Sequence, residues 1–364
     1  MSRFTPASGL AHPIAQTLFP KLLRRAPEPV FGRERWETPD GDFLDVDLAG
    51  PDGGDPRGVL VVLHGLEGSS RSHYVGGTIA LARSRGYLSL ALNYRGCSGE
   101  PNRLLRSYHS GETGDLAFVL ARVVRTWPSL PVAIAGFSLG ANVLARWFGE
   151  AGADLPEAVR GGVAVSCPYD LAACAAWLDR STRSWIRAAF LPTLRAKALE
   201  KARRFPGALD ERRIRNARTF LDIDEAYTSR AHGFADARDY WARASSGPVL
   251  SRIVRPTLFL SAIDDPLIPR EAIPVRALRE NRRLLLEAPP RGGHVGFVAG
   301  SARSPRYWAE ARVVAFVEQV PGALGHEVEE VAAGGRAGLA HAVAETQRRE
   351  CIAHAAADIG RRAQ

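Results

Sequence analysis

Gly136-Phe137-Ser138-Leu139-Gly140 sets a hydroxyl between two glycines, the spacing of a sharp strand-to-helix turn that presents serine as a nucleophile. Alone the pentapeptide says little, because a glycine-rich turn packed only for tightness reads the same way. Its flanks say more. Val132-Ala133-Ile134-Ala135 enters the turn as an apolar strand, and Leu139 to Gly149 leaves it as a helix. Gly136 and Gly140 are needed because side chains at those positions would collide with nearby backbone. The Leu139 N–H then lies at a helix start, where it can hold an oxyanion.

A serine hydroxyl attacks well only if a base takes its proton and a carboxylate orients that base. For a serine on such a turn the expected chain order is Ser, then Asp or Glu, then His. Only His294, His326, His341 and His354 come late enough, and the last three lie in the C-terminal tail. His294 sits in Arg291-Gly292-Gly293-His294-Val295-Gly296-Phe297, a loop after an apolar strand. The acid comes from Asp264-Asp265-Pro266, where Thr257-Leu258-Phe259-Leu260 runs out into a turn. Asp265 fits better because the Asp-Pro-x-x-Pro turn follows it directly, with Asp264 as the alternative. His64-Gly65-Leu66-Glu67-Gly68 follows the first apolar strand, and the Leu66 N–H is a second oxyanion donor beside that of Leu139. His64 comes too early to be the base and is expected to brace that loop, with Gly65 allowing close approach.

Strands must carry these groups. Gly58 to Leu63, Tyr87 to Leu92, Pro131 to Ala135, Gly162 to Ser166, Thr257 to Leu260 and Arg283 to Leu286 read as strands, the first as one buried on both faces. Two further strands are expected within 34–49, around Pro39-Asp40-Gly41. Helices are expected over Tyr74 to Arg85, Thr113 to Trp127 (with Thr113 as N-cap) and Pro305 to Val320. Such alternation implies an α/β architecture, a mostly parallel sheet with helices on both faces. It breaks over 169–248, a helix-rich insertion expected to form a cap, whose aromatic residues either make its own core or grip an acyl chain. The organisation is an N-terminal arm at 1–33, a core over 34–168 and 249–320, the cap between them, and a C-terminal extension at 321–364.

The chain has 364 residues and a net charge of +9, with 46% hydrophobic and 24% charged residues. This is globular composition and argues against disorder. Between Leu178 and Arg218 there are 12 Lys and Arg against 4 Asp and Glu. That block could meet an anionic membrane or another acidic partner, but solvated helix faces explain it more simply, and no nucleic-acid reading module accompanies it. Cys97, Cys167, Cys174 and Cys351 lack paired spacing for zinc or redox work, so idle thiols in a reducing compartment are expected. The Tyr108-to-Asp115 stretch holds His109 and Asp115 without a second ligand cluster, so no metal is expected. With no eighteen-residue apolar run and no secretory layout at the start, the expected location is the cytoplasm.

Six stretches carry a resemblance: His12-Pro13-Ile14-Ala15-Gln16-Thr17, His64-Gly65-Leu66-Glu67-Gly68-Ser69-Ser70, Arg95-Gly96-Cys97-Ser98-Gly99-Glu100-Pro101-Asn102, Tyr108-His109-Ser110-Gly111-Glu112-Thr113, the Ser138 pentapeptide, and Asp264-Asp265-Pro266. Spanning roughly residues 12 to 320, they resemble the YheT-like subgroup of α/β-hydrolases, which is related to the eukaryotic α/β-hydrolase-domain lipases. The resemblance implies an α/β-hydrolase fold with a helical cap insertion, a Ser138–Asp265–His294 triad and no cofactor. It also implies hydrolysis of carboxylic esters, with short or medium acyl esters or acylglycerols as substrates. Where that pattern has Gly-Gly-Asn, this chain has Gly140-Ala141-Asn142. Two other readings keep the same residues: acyl transfer to an alcohol or thiol, and a non-catalytic small-molecule-binding protein. Oligomeric state is not written in the sequence.

Overall fold

A computed structural model describes residues 3–24 and 31–320; the expected C-terminal extension lies outside them. Eight strands form one sheet in the order β1-β2-β4-β3-β5-β6-β7-β8. They are β1 (Gly32–Glu37), β2 (Phe43–Ala49), β3 (Gly58–Leu63), β4 (Tyr87–Asn93), β5 (Val132–Phe137), β6 (Val159–Val165), β7 (Thr257–Leu260) and β8 (Leu284–Glu287). The β1–β2 and β2–β4 pairs are antiparallel, and every pair from β4 to β8 is parallel. All residues of β3 and β5 are buried, which is why their sequences are unbroken apolar runs rather than alternating ones. The edge strand β1 reads Gly-Arg-Glu-Arg-Trp-Glu and buries only Trp36, a charged border that discourages pairing with another sheet.

Helices α1 (Pro13–Leu23), α2 (His73–Ser84), α3 (Thr113–Thr126) and α4 (Leu139–Ala151) precede the insertion, and α11 (Val275–Glu280) and α12 (Trp308–Gln319) follow it. Apolar clusters fill both faces of the sheet. Leu116, Val119 and Leu120 of α3 pack with Leu144 and Phe148 of α4 on one face. Val75 and Ile79 of α2 pack with Val313 and Val317 of α12 on the other. Several element ends lie a few residues from expectation, and two of the differences have a clear physical cause. Residues 305–307 pair as a short strand with Val298–Gly300, so the last helix starts only at Trp308. The N-cap of α3 is Glu112, which accepts the Asp115 N–H, while Thr113 is already helical and its hydroxyl donates to Glu150.

The insertion between β6 and β7 is helical: α5 (Leu171–Leu178), α6 (Ser184–Arg204), α7 (Glu211–Asn216), α8 (Phe220–Ile223), α9 (Ser229–His232) and α10 (Ala237–Ala244). Leu171, Ala175, Phe220, Tyr240 and Trp241 form its own apolar cluster, against which Phe190 and Leu66 pack. Its basic residues are largely occupied within the chain. Arg187 donates to the Leu178 and Arg180 carbonyls, Arg195 to Ala217, and Lys201 and Arg204 to Asn102. Among the described residues no helix is long and apolar enough to cross a membrane.

Candidate active site

The carboxyl ends of the parallel strands bring the singled-out residues together. At the end of β5 the chain turns so sharply that Ser138 takes φ 53° and ψ −119°, a strained left-handed conformation, directly before α4. Strain of this kind typically costs about 1–3 kcal/mol and must be held in place by its surroundings. Those surroundings are tight. A Cβ at Gly136 would strike the Gly140 carbonyl oxygen, and one at Gly140 would lie 2.6 Å from the Leu63 carbonyl oxygen. Asn142 anchors the far side of the turn, donating to the Ser110 and Ala244 carbonyls and accepting the Ser246 N–H at 3.0 Å. The elbow is thereby joined to the end of the cap.

His294 Nε2 lies 2.8 Å from Ser138 Oγ, and His294 Nδ1 lies 2.9 and 3.1 Å from the two oxygens of Asp265. A carboxylate can only accept, so Nδ1 carries the proton and Nε2 is left to receive the serine's. The Asp265 side chain is only 3% exposed, and its Oδ1 also accepts the Leu267 and Ile268 N–H groups. These bonds fix which way the carboxylate faces. Asp264 does a different job. Its Oδ1 accepts the Gly293 N–H at 3.0 Å, so it holds the histidine loop by its backbone and does not meet the imidazole. Burial raises its pKa above the ordinary carboxylate value, with the Asp265 charge adding to the effect and the Gly293 N–H opposing it.

Several supports of this arrangement were not identified from sequence. Thr17 of α1 accepts the His294 N–H through its hydroxyl at 2.9 Å. Gln16 bonds both the N–H and the carbonyl of Val298, and Ser166 accepts the Val295 N–H. The N-terminal segment thus packs beneath the histidine loop. The His12-to-Thr17 stretch is the one signal that pointed there.

The His64–Gly68 loop lies beside the nucleophile: a Cβ on Gly65 would come within 3.0 Å of Ser138 Cβ. Tyr74 Oη accepts the Gly65 N–H at 2.9 Å, and Tyr108 Oη accepts the Glu67 N–H at 2.8 Å. Leu66 lies between these two tethered residues, and Leu139 opens α4 on the other side of the serine. His64 is buried and braces the loop, with Nδ1 2.7 Å from the Gly65 carbonyl and Nε2 accepting the Tyr94 N–H at 3.2 Å. Burial pushes its pKa down to about 4, the Gly65 carbonyl opposing that shift. The sign of the stability effect follows. Unfolded His64 takes a proton near pH 6.5 and the folded residue refuses it until about pH 4, so its contribution is full above 6.5 and lost as pH falls towards 4. Urea unfolding should therefore show the stability gap between wild type and His64→Asn narrowing by about 2 kcal/mol between pH 7.5 and pH 5. An unchanged gap would mean that the folded imidazole titrates normally.

Ser138, Leu66, Leu139 and His294 face a cleft of about 1400 Å³ that helices of the insertion also line. Leu171, Ala175, Leu178, Ile186, Ala189 and Phe190 give much of its wall an apolar character. Among the described residues no three His, Cys, Asp or Glu side chains gather as metal ligands. His109 packs against His232, Phe234 and Tyr240, and Asp115 binds Arg95 in a buried ion pair.

A sequence model of the α/β-hydrolase fold matches residues 58–300. The chain belongs to that family. It is 38% identical over 315 residues to the putative esterase YheT of Escherichia coli, covering 86% of this chain and 92% of that protein. It is 28% identical over 292 residues to human phospholipase ABHD3, covering 78% and 71% of the two chains. Among solved structures, the Pyrococcus furiosus esterase Pf2001 superposes with a TM-score of 0.51 over 81% of this chain and 99% of that one. At 16% identity that likeness speaks for the fold alone. In this α/β-hydrolase the three side chains that meet, Ser138, Asp265 and His294, follow one another along the chain in that order.

Proposed function

We propose that the protein is a serine hydrolase of carboxylic esters, with Ser138 as nucleophile, His294 as base and Asp265 as the group that orients it. The observation that carries this reading is the unbroken hydrogen-bonded path from Ser138 Oγ through the imidazole to the Asp265 carboxylate. The esterase and phospholipase names of two relatives support the same bond type.

As Ser138 Oγ attacks the ester carbonyl, its proton passes to His294 Nε2, and Asp265 stabilises the imidazolium through Nδ1–H. The carbonyl oxygen becomes an oxyanion held by the Leu66 and Leu139 N–H groups, the second reinforced by the positive end of α4. Collapse of the tetrahedral intermediate expels the alcohol, protonated by His294, and leaves Ser138 acylated. Water then gives a proton to His294 and attacks the acyl group, and collapse of this second tetrahedral intermediate returns that proton from His294 to Ser138 Oγ as the acid departs. None of these steps calls on a cofactor.

The apolar wall from α5 and α6 takes the acyl group, and the family resemblance points to short or medium acyl esters or acylglycerols as the substrates. A p-nitrophenyl ester series from acetate to palmitate tests both parts. Turnover should peak in the short-to-medium range, and Ala189→Trp, which fills the wall, should lower the octanoate-to-acetate ratio of kcat/KM by about tenfold. No turnover of any ester by the folded wild type would refute the reaction; an unchanged ratio in Ala189→Trp would refute the acyl assignment.

A further inference from the structure

A carboxylate stands next to the place where negative charge must develop. Glu67 follows Leu66 directly, its side chain is only 9% exposed, and its φ of 55° turns the loop there. An ionised carboxylate so placed works against an oxyanion on the Leu66 N–H. Tyr108 Oη donates to Glu67 Oε1 at 2.8 Å while accepting the Glu67 N–H, a closed ring that fixes the loop but supplies no charge. The cation is Lys197, whose Nζ lies 3.0 Å from the same Oε1. Cys97 Sγ lies 3.6 Å from Nζ. Burial pushes that thiol's pKa up to about 11, against the pull of Lys197, so it is neutral near pH 7. Glu67 is therefore the anion that Lys197 balances.

Lys197 reaches the loop from the cap. On α6, Ile186, Phe190, Thr193, Lys197 and Lys201 recur at three- and four-residue steps and all line the cleft, so one helix face runs from apolar to cationic along the wall. Lys201 donates to the Asn102 and Leu104 carbonyls and fastens that end of α6 to the core.

We propose that Lys197 is a positioning residue supplied by the cap: it cancels the Glu67 charge, so that the Leu66 N–H of the loop already fixed by Tyr108 can hold an oxyanion. The proposal rests on the ester-hydrolase reading above and deepens it, because it makes turnover depend on a seated cap.

Steady-state kinetics on p-nitrophenyl butyrate, with circular dichroism to confirm folding, provide the test. Lys197→Met should lower kcat by about tenfold or more with KM within about twofold, since the lost interaction acts on developing charge. Lys197→Arg should keep most of the turnover. Lys197→Met combined with Glu67→Gln should regain most of what Lys197→Met lost, because an uncharged side chain at position 67 needs no counter-charge; a purely structural lysine would not be rescued in this way. Wild-type kcat in folded Lys197→Met, or a double variant no better than Lys197→Met, would overturn the proposal. Should Lys197→Met not fold, Glu67→Gln alone decides: kcat kept or raised supports it, and a tenfold loss overturns it. An inactive wild type would instead refute the ester-hydrolase reading itself.

Discussion

Ser138→Ala should fold as the wild type does and lose ester turnover by at least about 10⁴-fold. Alanine adds no bulk and keeps the Cβ, so the strained φ of 53° at the elbow is no harder to hold than with serine. The Ser138 Oγ–His294 hydrogen bond is lost, but His294 keeps its contact with Asp265 and its backbone tie to Thr17. What disappears is the atom that forms the covalent bond. Leu66 and Leu139 remain to bind an oxyanion, so a small residual rate from water attack in the cleft is expected. Initial rates on a short-chain p-nitrophenyl ester, measured alongside thermal unfolding, check both halves. Turnover near the wild-type value in a normally folded variant would remove Ser138 from the mechanism.

The second large effect separates two adjacent acids. Asp265→Asn should lower kcat by about 10⁴-fold, whereas Asp264→Asn should stay within about tenfold of wild type. The reason lies in the fixed orientation of the carboxylate. The Leu267 and Ile268 N–H groups both donate to Asp265 Oδ1, so an asparagine there keeps its oxygen towards them and offers its NH₂ to His294. A donor facing Nδ1 drives the ring proton to Nε2, and the imidazole can no longer accept from serine. Asp264 accepts the Gly293 N–H, and the oxygen of an asparagine can still accept that bond. Matched kcat values for the two variants, measured at neutral pH on one ester, cover the decision. Equal losses would mean that the loop works as a unit and that the assignment to Asp265 is unjustified.

Much of the scaffold could be read from sequence because its signals are local. Six apolar runs became the parallel part of the sheet from β3 to β8 with ends shifted by a few residues, since a strand buried on both faces has little choice of composition. The elbow was equally plain as a motif, although only Gly136 is dictated locally, by the Gly140 carbonyl; Gly140 is dictated by the Leu63 and His64 carbonyls of the neighbouring strand end. The contacts that complete the site are not local. Thr17 meets His294 across 277 positions and Lys197 meets Glu67 across 130. Neither threonine nor lysine at those places breaks any local pattern. Glu112 rather than Thr113 caps α3 because both side chains suit a helix start, and the choice falls to the Asp115 N–H and to Glu150, groups outside the dipeptide. Asp264 and Asp265 are chemically alike in sequence. Only the loop that carries His294 shows one binding backbone and the other the ring.

The most direct measurement is covalent. A fluorophosphonate probe reacts with a serine only when a base activates the hydroxyl and an oxyanion site receives the phosphoryl oxygen. Digestion and mass spectrometry of the treated protein should find one adduct, on Ser138, formed quickly in the wild type and far more slowly in Asp265→Asn. An ester-hydrolysing wild type that carries no adduct at Ser138, or carries it on another residue, would contradict the account.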